Sequence, residues 1–87
     1  MLLEPGTLFT FMYPMRTLTV KPHGSDEYHG WSMQTFRCEQ PCLVMGTSIC
    51  PRFKVNMIWF RRFGIDGGYD DWDAYDGPLK THAAVIT

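Results

Sequence analysis

Hydrophobic and polar residues alternate most regularly between Phe53 and Phe60. Phe53, Val55, Met57 and Trp59 fall on one face of an extended chain and Lys54 and Asn56 on the other, the period of two expected of a strand with one buried side. Ile58 and Phe60 interrupt the polar face, so the far end of this segment is expected to be covered on both sides, as a central strand is. Further strands lie upstream. Thr7 to Tyr13 is β-branched and aromatic and stops at Pro14, with Phe9, Phe11 and Tyr13 sharing a face. Thr17 to Val20 alternates with Leu18 and Val20 inward, Met15 and Arg16 making the corner before it. Trp31 to Cys38 sets Trp31, Met33 and Thr35 against Ser32, Gln34 and Phe36. Cys42 to Gly46 is a short apolar run expected to be a buried strand, its Gly46 marking a bulge or a close backbone approach. Ser48 to Pro51 then leads into the central strand. The closing residues from Thr81 to Thr87 regain strand character and are expected to close the sheet against an earlier strand.

Two segments break the pattern. Pro22 to Gly30 is polar and bounded by turn residues, the composition of a loop. Gly64 to Pro78 holds five of the six aspartates and almost no aliphatic residue. Aspartate and glycine are weak helix formers, so this segment reads as an exposed acidic-aromatic loop with at most a single turn near Asp71 to Tyr75. With no amphipathic helix longer than about three turns, the expected fold is all-β, a small barrel or roll of five to six short strands with one long acidic loop. Eighty-seven residues suffice for one modest core, and residues 1–87 are read as a single domain.

Pro5-Gly6-Thr7 before the first strand, Leu43-Val44-Met45-Gly46 entering the central hairpin and Val55-Asn56-Met57-Ile58-Trp59 after it give a layout that resembles the small SH3-like barrels found as stand-alone proteins in bacteriophage genomes. The resemblance implies an SH3-like fold, a phage origin, and binding of proteins, peptides or nucleic acid rather than catalysis. Peptide-binding SH3 domains carry their acidic-aromatic pattern early, whereas here the acidic segment comes late.

Composition narrows the classes. Hydrophobic residues make up 45% of the chain and aromatic ones 15%, which excludes wholesale disorder. A net charge of −1 argues against a protein that coats nucleic acid by neutralising many phosphates. No apolar run approaches the ~20 residues that span a bilayer, and the start, which meets Pro5 and Gly6 without a basic region, does not read as a signal peptide. The expected setting is therefore the cytoplasm, or a virion if the chain is phage-encoded. Three cysteines, an odd number, do not form a secreted disulfide framework and are expected to be reduced.

Candidate chemistry is sparse. Cys38, Cys42 and Cys50 with His23, His29 or His82 supply zinc-type ligands, but the spacing fits no knuckle or ribbon, and small buried thiols are the simpler reading. No cysteine sits in a hydrolase or protease signature. Asp71-x-Asp73 begins like a calcium loop, yet Tyr75 and His82 occupy positions where such a loop needs ligands. No metal, cofactor or catalytic residue is assigned. Tyr69, Trp72 and Tyr75, spaced three apart among Asp70, Asp71, Asp73 and Asp76, combine contact rings with negative charge and form the expected surface for a protein partner with a basic face, or for further copies of the chain. Arg52, Lys54, Arg61 and Arg62 bracket the central strand and form the alternative, a nucleic-acid surface. The simplest competing reading is that these arginines pair with the aspartates. The sequence thus points to a non-enzymatic protein-interaction module, in the phage setting an inhibitor of a host protein or a virion component, with nucleic-acid binding as the alternative.

Overall fold

The computed structural model describes residues 3–12, 19–25, 32–33, 37–38, 40–50 and 53–86. Seven strands and one short helix follow in the order β1 (Leu8–Phe11), β2 (Thr19–Pro22), β3 (Ser32–Met33), β4 (Cys42–Ile49), β5 (Asn56–Phe63), β6 (Tyr69–Tyr75), α1 (Asp76–His82) and β7 (Ala83–Val85). All seven belong to one antiparallel sheet ordered β3-β2-β6-β5-β4-β1-β7. The fold is all-β, as expected, and among the described residues the sheet is open, with β3 and β7 at its edges.

Pairing register decides which residues share a face. Phe9 lies opposite Cys42, Val44 opposite Phe60, and Ala74 opposite both Ile58 and Val20. These residues, with Phe11, Ala83, Leu79 of α1 and Leu3, form the core. Phe9, Phe11 and Phe60 meet edge to face, with ring centroids 5.6 to 6.1 Å apart, the arrangement that the aromatic quadrupole favours. Phe9 and Phe11 therefore point inward as their alternation predicts. Tyr13, Thr17, Leu18, Trp31 and residues 34–36, also assigned to strands from sequence, lie outside the described residues.

Several expectations are corrected. The central strand begins at Asn56, and its core face is Ile58 and Phe60 rather than the set Phe53, Val55, Met57 and Trp59. Its expected two-sided cover is nonetheless present, because Met57 on the opposite face is also buried. Phe53 and Val55 are exposed in the turn between β4 and β5. In that turn the Cys50 N–H donates to the Val55 carbonyl at 2.9 Å and the Lys54 N–H to the Cys50 carbonyl at 2.8 Å. The turn needs a left-handed residue, and Lys54 takes that conformation with φ +57°. β4 runs on through Ser48 to Ile49, where a connection was expected. Gly46 meets its expectation in both senses: the register shifts between Val44 and Gly46, and a Cβ there would sit 3.4 Å from Cε3 of Trp59.

The largest correction concerns the acidic segment. Gly64 to Gly68 makes a tight turn in which the Gly64 N–H donates to the Gly68 carbonyl at 2.8 Å, and Gly67 has φ +88°. The chain then returns as β6, flanked by β5 and β2 in the interior of the sheet. The expected acidic loop is thus a hairpin strand, and its helical turn begins later, at Asp76. Aspartate disfavours strands, but opposite charges paired across strands offset that preference. The closing segment returns to the sheet from Ala83 onward, with Ala83, Ala84 and Val85 pairing Phe11, Thr10 and Phe9 of β1, whereas Thr81 and His82, also expected to be strand, finish α1.

Candidate functional site

Alternation along β6 separates the candidate partner-binding residues. Trp72 packs against the core and Ala74 lies within it. Tyr69, Asp71, Asp73 and Tyr75 share the opposite face of the strand. Each of three aspartates meets a cation on a neighbouring strand. Arg62 holds Asp70 through Nε–Oδ1 at 3.1 Å and Nη2–Oδ2 at 2.7 Å. Arg61 holds Asp71 through Nε–Oδ1 at 2.8 Å and Nη2–Oδ2 at 3.1 Å. Arg61 also lies over the Tyr69 ring, 4.0 Å from its centroid. These hydrogen bonds hold the Asp71 carboxyl below the usual carboxylate range and push the Arg61 guanidinium up, so each keeps the other charged.

Asp73 is different. Only 2% of it is exposed, and both oxygens are engaged. Oδ2 accepts from Lys21 Nζ at 2.9 Å, and Oδ1 lies 2.8 Å from His23 Nδ1. The His23 ring stacks flat on the Trp59 indole, centroids 4.0 Å apart and planes 3° from parallel. The His23 N–H donates to the Asp71 carbonyl at 3.2 Å, and Lys21 Nζ also reaches the Ser25 carbonyl at 3.1 Å. This cluster fastens β2 and the following turn onto β6.

The candidate binding residues are therefore largely occupied with one another. Asp70, Asp71 and Asp73 are neutralised within the sheet, and Asp76 bridges to Lys80 at 3.0 Å on the next turn of α1. Of the candidate nucleic-acid residues, Arg61 and Arg62 are bound to carboxylates, Lys54 is exposed, and Arg52 lies outside the described residues. Sequence reasoning missed Lys21 and His23 as partners of Asp73. The mirrored spacing of Phe60-Arg61-Arg62-Phe63 and Tyr69-Asp70-Asp71-Trp72 about a glycine-rich turn signals the arginine–aspartate pairs of the hairpin, but no local pattern marks Lys21 and His23, which lie 52 and 50 residues from Asp73.

Cys42 is buried in the core, and burial pushes its thiol up to about 12. Cys50 is also buried. Among the described residues no group of three or more histidine, cysteine, aspartate or glutamate side chains converges as a metal site would.

A second candidate site lies where the β4–β5 turn approaches the start of α1. Phe53, Val55, Asn56, Tyr75, Asp76, Gly77 and Pro78 line a cleft of about 580 Å³. Its walls are mainly apolar, the usual character of a binding concavity. Phe53 and Val55 are 51% and 43% exposed at its rim. Burial, aided by the Cys50 thiol, pushes the Tyr75 hydroxyl above its ordinary value, so at neutral pH the tyrosine is uncharged. Among the described lining residues Asp76 alone carries a formal charge.

No protein-family model, curated protein or solved structure matches this chain.

Proposed function

We propose that this chain is a non-enzymatic protein-interaction module whose contact surface is the cleft beside the β4–β5 turn. The observation that carries the proposal is the pairing of that concave apolar surface with exposed Phe53 and Val55. Apolar side chains exposed together beside a concavity make a contiguous patch of the kind that marks an interaction site. The left-handed Lys54 between them supports the same reading, because a strained backbone that displays two neighbours is often kept for function. The acidic strip has a weaker claim, since its aspartates already hold cations within the fold. Nucleic-acid binding has less support again, because a phosphate reaching Arg61 or Arg62 must displace a two-point carboxylate contact. The resemblance to phage barrels extends the proposal to a protein that inhibits a host protein in its cytoplasm or serves within a virion.

Selection of displayed random peptides on the purified protein tests the surface. Peptides enriched on the wild type should bind Val55→Asp at least tenfold more weakly and Asp70→Asn unchanged. Val55 lies outside the strands, so urea midpoints should agree and exclude misfolding. Retained binding by Val55→Asp with loss in Asp70→Asn would move the contact surface to the acidic strip.

A further inference from the structure

Ile65 is 93% exposed, more than any other large hydrophobic residue described. It stands at the tip of the β5–β6 hairpin, in the turn closed by the Gly64 N–H and the Gly68 carbonyl. Such turns are filled by glycine and short polar residues, and its neighbours Gly64, Asp66, Gly67 and Gly68 follow that rule. Ile65 does not, and it adds nothing to the core. The apolar cleft lies at the opposite end of the same two strands, because Met57 pairs with Tyr75, which lines it, and Phe63 pairs with Tyr69, which adjoins the turn. The stretch from Met57 to Phe63 spans about 20 Å at the usual strand rise, so no chain can place its own Ile65 in its own cleft.

Unpaired charge follows the same division. Asp66 at the tip is exposed, and among the described residues its carboxylate accepts only the Gly68 N–H, at 3.1 Å. Lys54, on the turn between Phe53 and Val55 of the cleft rim, is exposed and has no hydrogen bond or ion pair among the described residues. Asp76 in the cleft wall is by contrast already bridged to Lys80.

Resting on the interaction-module reading, we infer that the cleft is filled by the hairpin tip of a second copy of this chain, with Ile65 entering beside Val55 and Pro78 and Asp66 meeting Lys54 at the rim. Complementarity selects a copy as the occupant. A convex apolar side chain answers a concave apolar surface, and the free charges beside them are opposite in sign. The two surfaces differ and lie at opposite ends of the hairpin, so the contact is heterologous. Each copy offers one tip and one cleft, and copies add head to tail into a filament, or a ring if the rotation closes. One apolar side chain and one exposed ion pair make a small contact, so association is weak and grows with concentration.

Sedimentation of the intact protein at concentrations up to about 1 mM, the range of a weak contact, tests this. The weight-average mass of wild type should rise steadily with concentration. Ile65→Ser and Val55→Asp should each stay monomeric, and an equimolar mixture of the two should form a dimer and nothing larger, because the first keeps its cleft and the second its tip. Both positions are exposed and outside the strands, so matching urea midpoints exclude misfolding. Asp66→Asn, which keeps the acceptor for the Gly68 N–H, should weaken association by about threefold, the size of an exposed ion pair. A wild type that stays monomeric while selected peptides still bind the cleft overturns the second copy as occupant and leaves the interaction-module reading standing. Monomers that bind no peptide overturn both. Association that survives in either single variant, or a mixture that forms no dimer, overturns the head-to-tail contact.

Discussion

Replacing Asp73 by alanine should destabilise the protein far more than the same change two residues earlier in the same strand. Asp71 and Asp73 share a face of β6, and each is bound to a cation on a neighbouring strand. They differ in solvent: the Asp71 side chain is 23% exposed and that of Asp73 only 2%. Removing Asp73 leaves the Lys21 ammonium, 14% exposed, and the His23 Nδ1 group without their acceptor. Breaking a buried ion pair from one side costs about 3–5 kcal/mol. Lys21 retains the Ser25 carbonyl and His23 is 31% exposed, so the lower end, about 3 kcal/mol, is the expected value. Asp71→Ala removes a solvent-screened pair and should cost about 1 kcal/mol or less. Urea unfolding followed by tryptophan fluorescence reads both variants, and at ordinary slopes for a small domain the Asp73 midpoint should fall by about 2 M more than that of Asp71. A double replacement, Lys21→Met with Asp73→Leu, should recover most of the loss, because a buried pair exchanged for apolar groups of similar size is often neutral. Equal midpoints for the two alanine variants would refute the claim that burial, rather than charge pairing alone, sets the strength of this cluster.

Three further outcomes follow from single sites. Phe60→Ala, at a fully buried ring touching Phe9 and Phe11, should cost roughly 3–5 kcal/mol by equilibrium unfolding. Lys54→Gly should stabilise the protein by about 1 kcal/mol, because glycine takes positive φ without the Cβ penalty; a lower urea midpoint would contradict the left-handed turn. Cys42 gives an alkaline prediction. Its thiol is raised from 9.0 to about 12 by burial, so the stability it contributes is fully present below pH 9 and is lost as pH rises from there toward 12, while the unfolded chain ionises first. By about pH 10.5 the stability advantage of wild type over Cys42→Ala should have shrunk by roughly 2 kcal/mol, and a constant difference across that range would count against the burial.

Much of the sheet is legible in the sequence because local chemistry and final position agree. Phe9 and Phe11 alternate about Thr10 and are buried together, while Leu8 and Met12 on either side are exposed. Gly46 lies at a bulge whose backbone runs close beside the Trp59 ring. The apolar closing residues find β1, since their strand preference is met by an antiparallel neighbour. In each case alternation or a glycine already states the constraint.

Tertiary structure alone decided the rest. Strand preference places Tyr69 to Tyr75 outside the sheet; what admits it is the row of cations that Arg61, Arg62 and Lys21 bring opposite Asp71, Asp70 and Asp73, an interaction between residues up to 52 positions apart. Which face of β5 is inward was likewise open, because Met57 and Trp59 compete with Ile58 and Phe60 as apolar sets, and the choice falls to whichever set meets Val44 and Ala74 in register. Once that register places Ile58 and Phe60 in the core, the left-handed turn at Lys54 leaves Phe53 and Val55 outside beside Tyr75 and Pro78. Composition and periodicity act over a few residues, whereas the cleft arises from segments some twenty residues apart that only the paired sheet brings together.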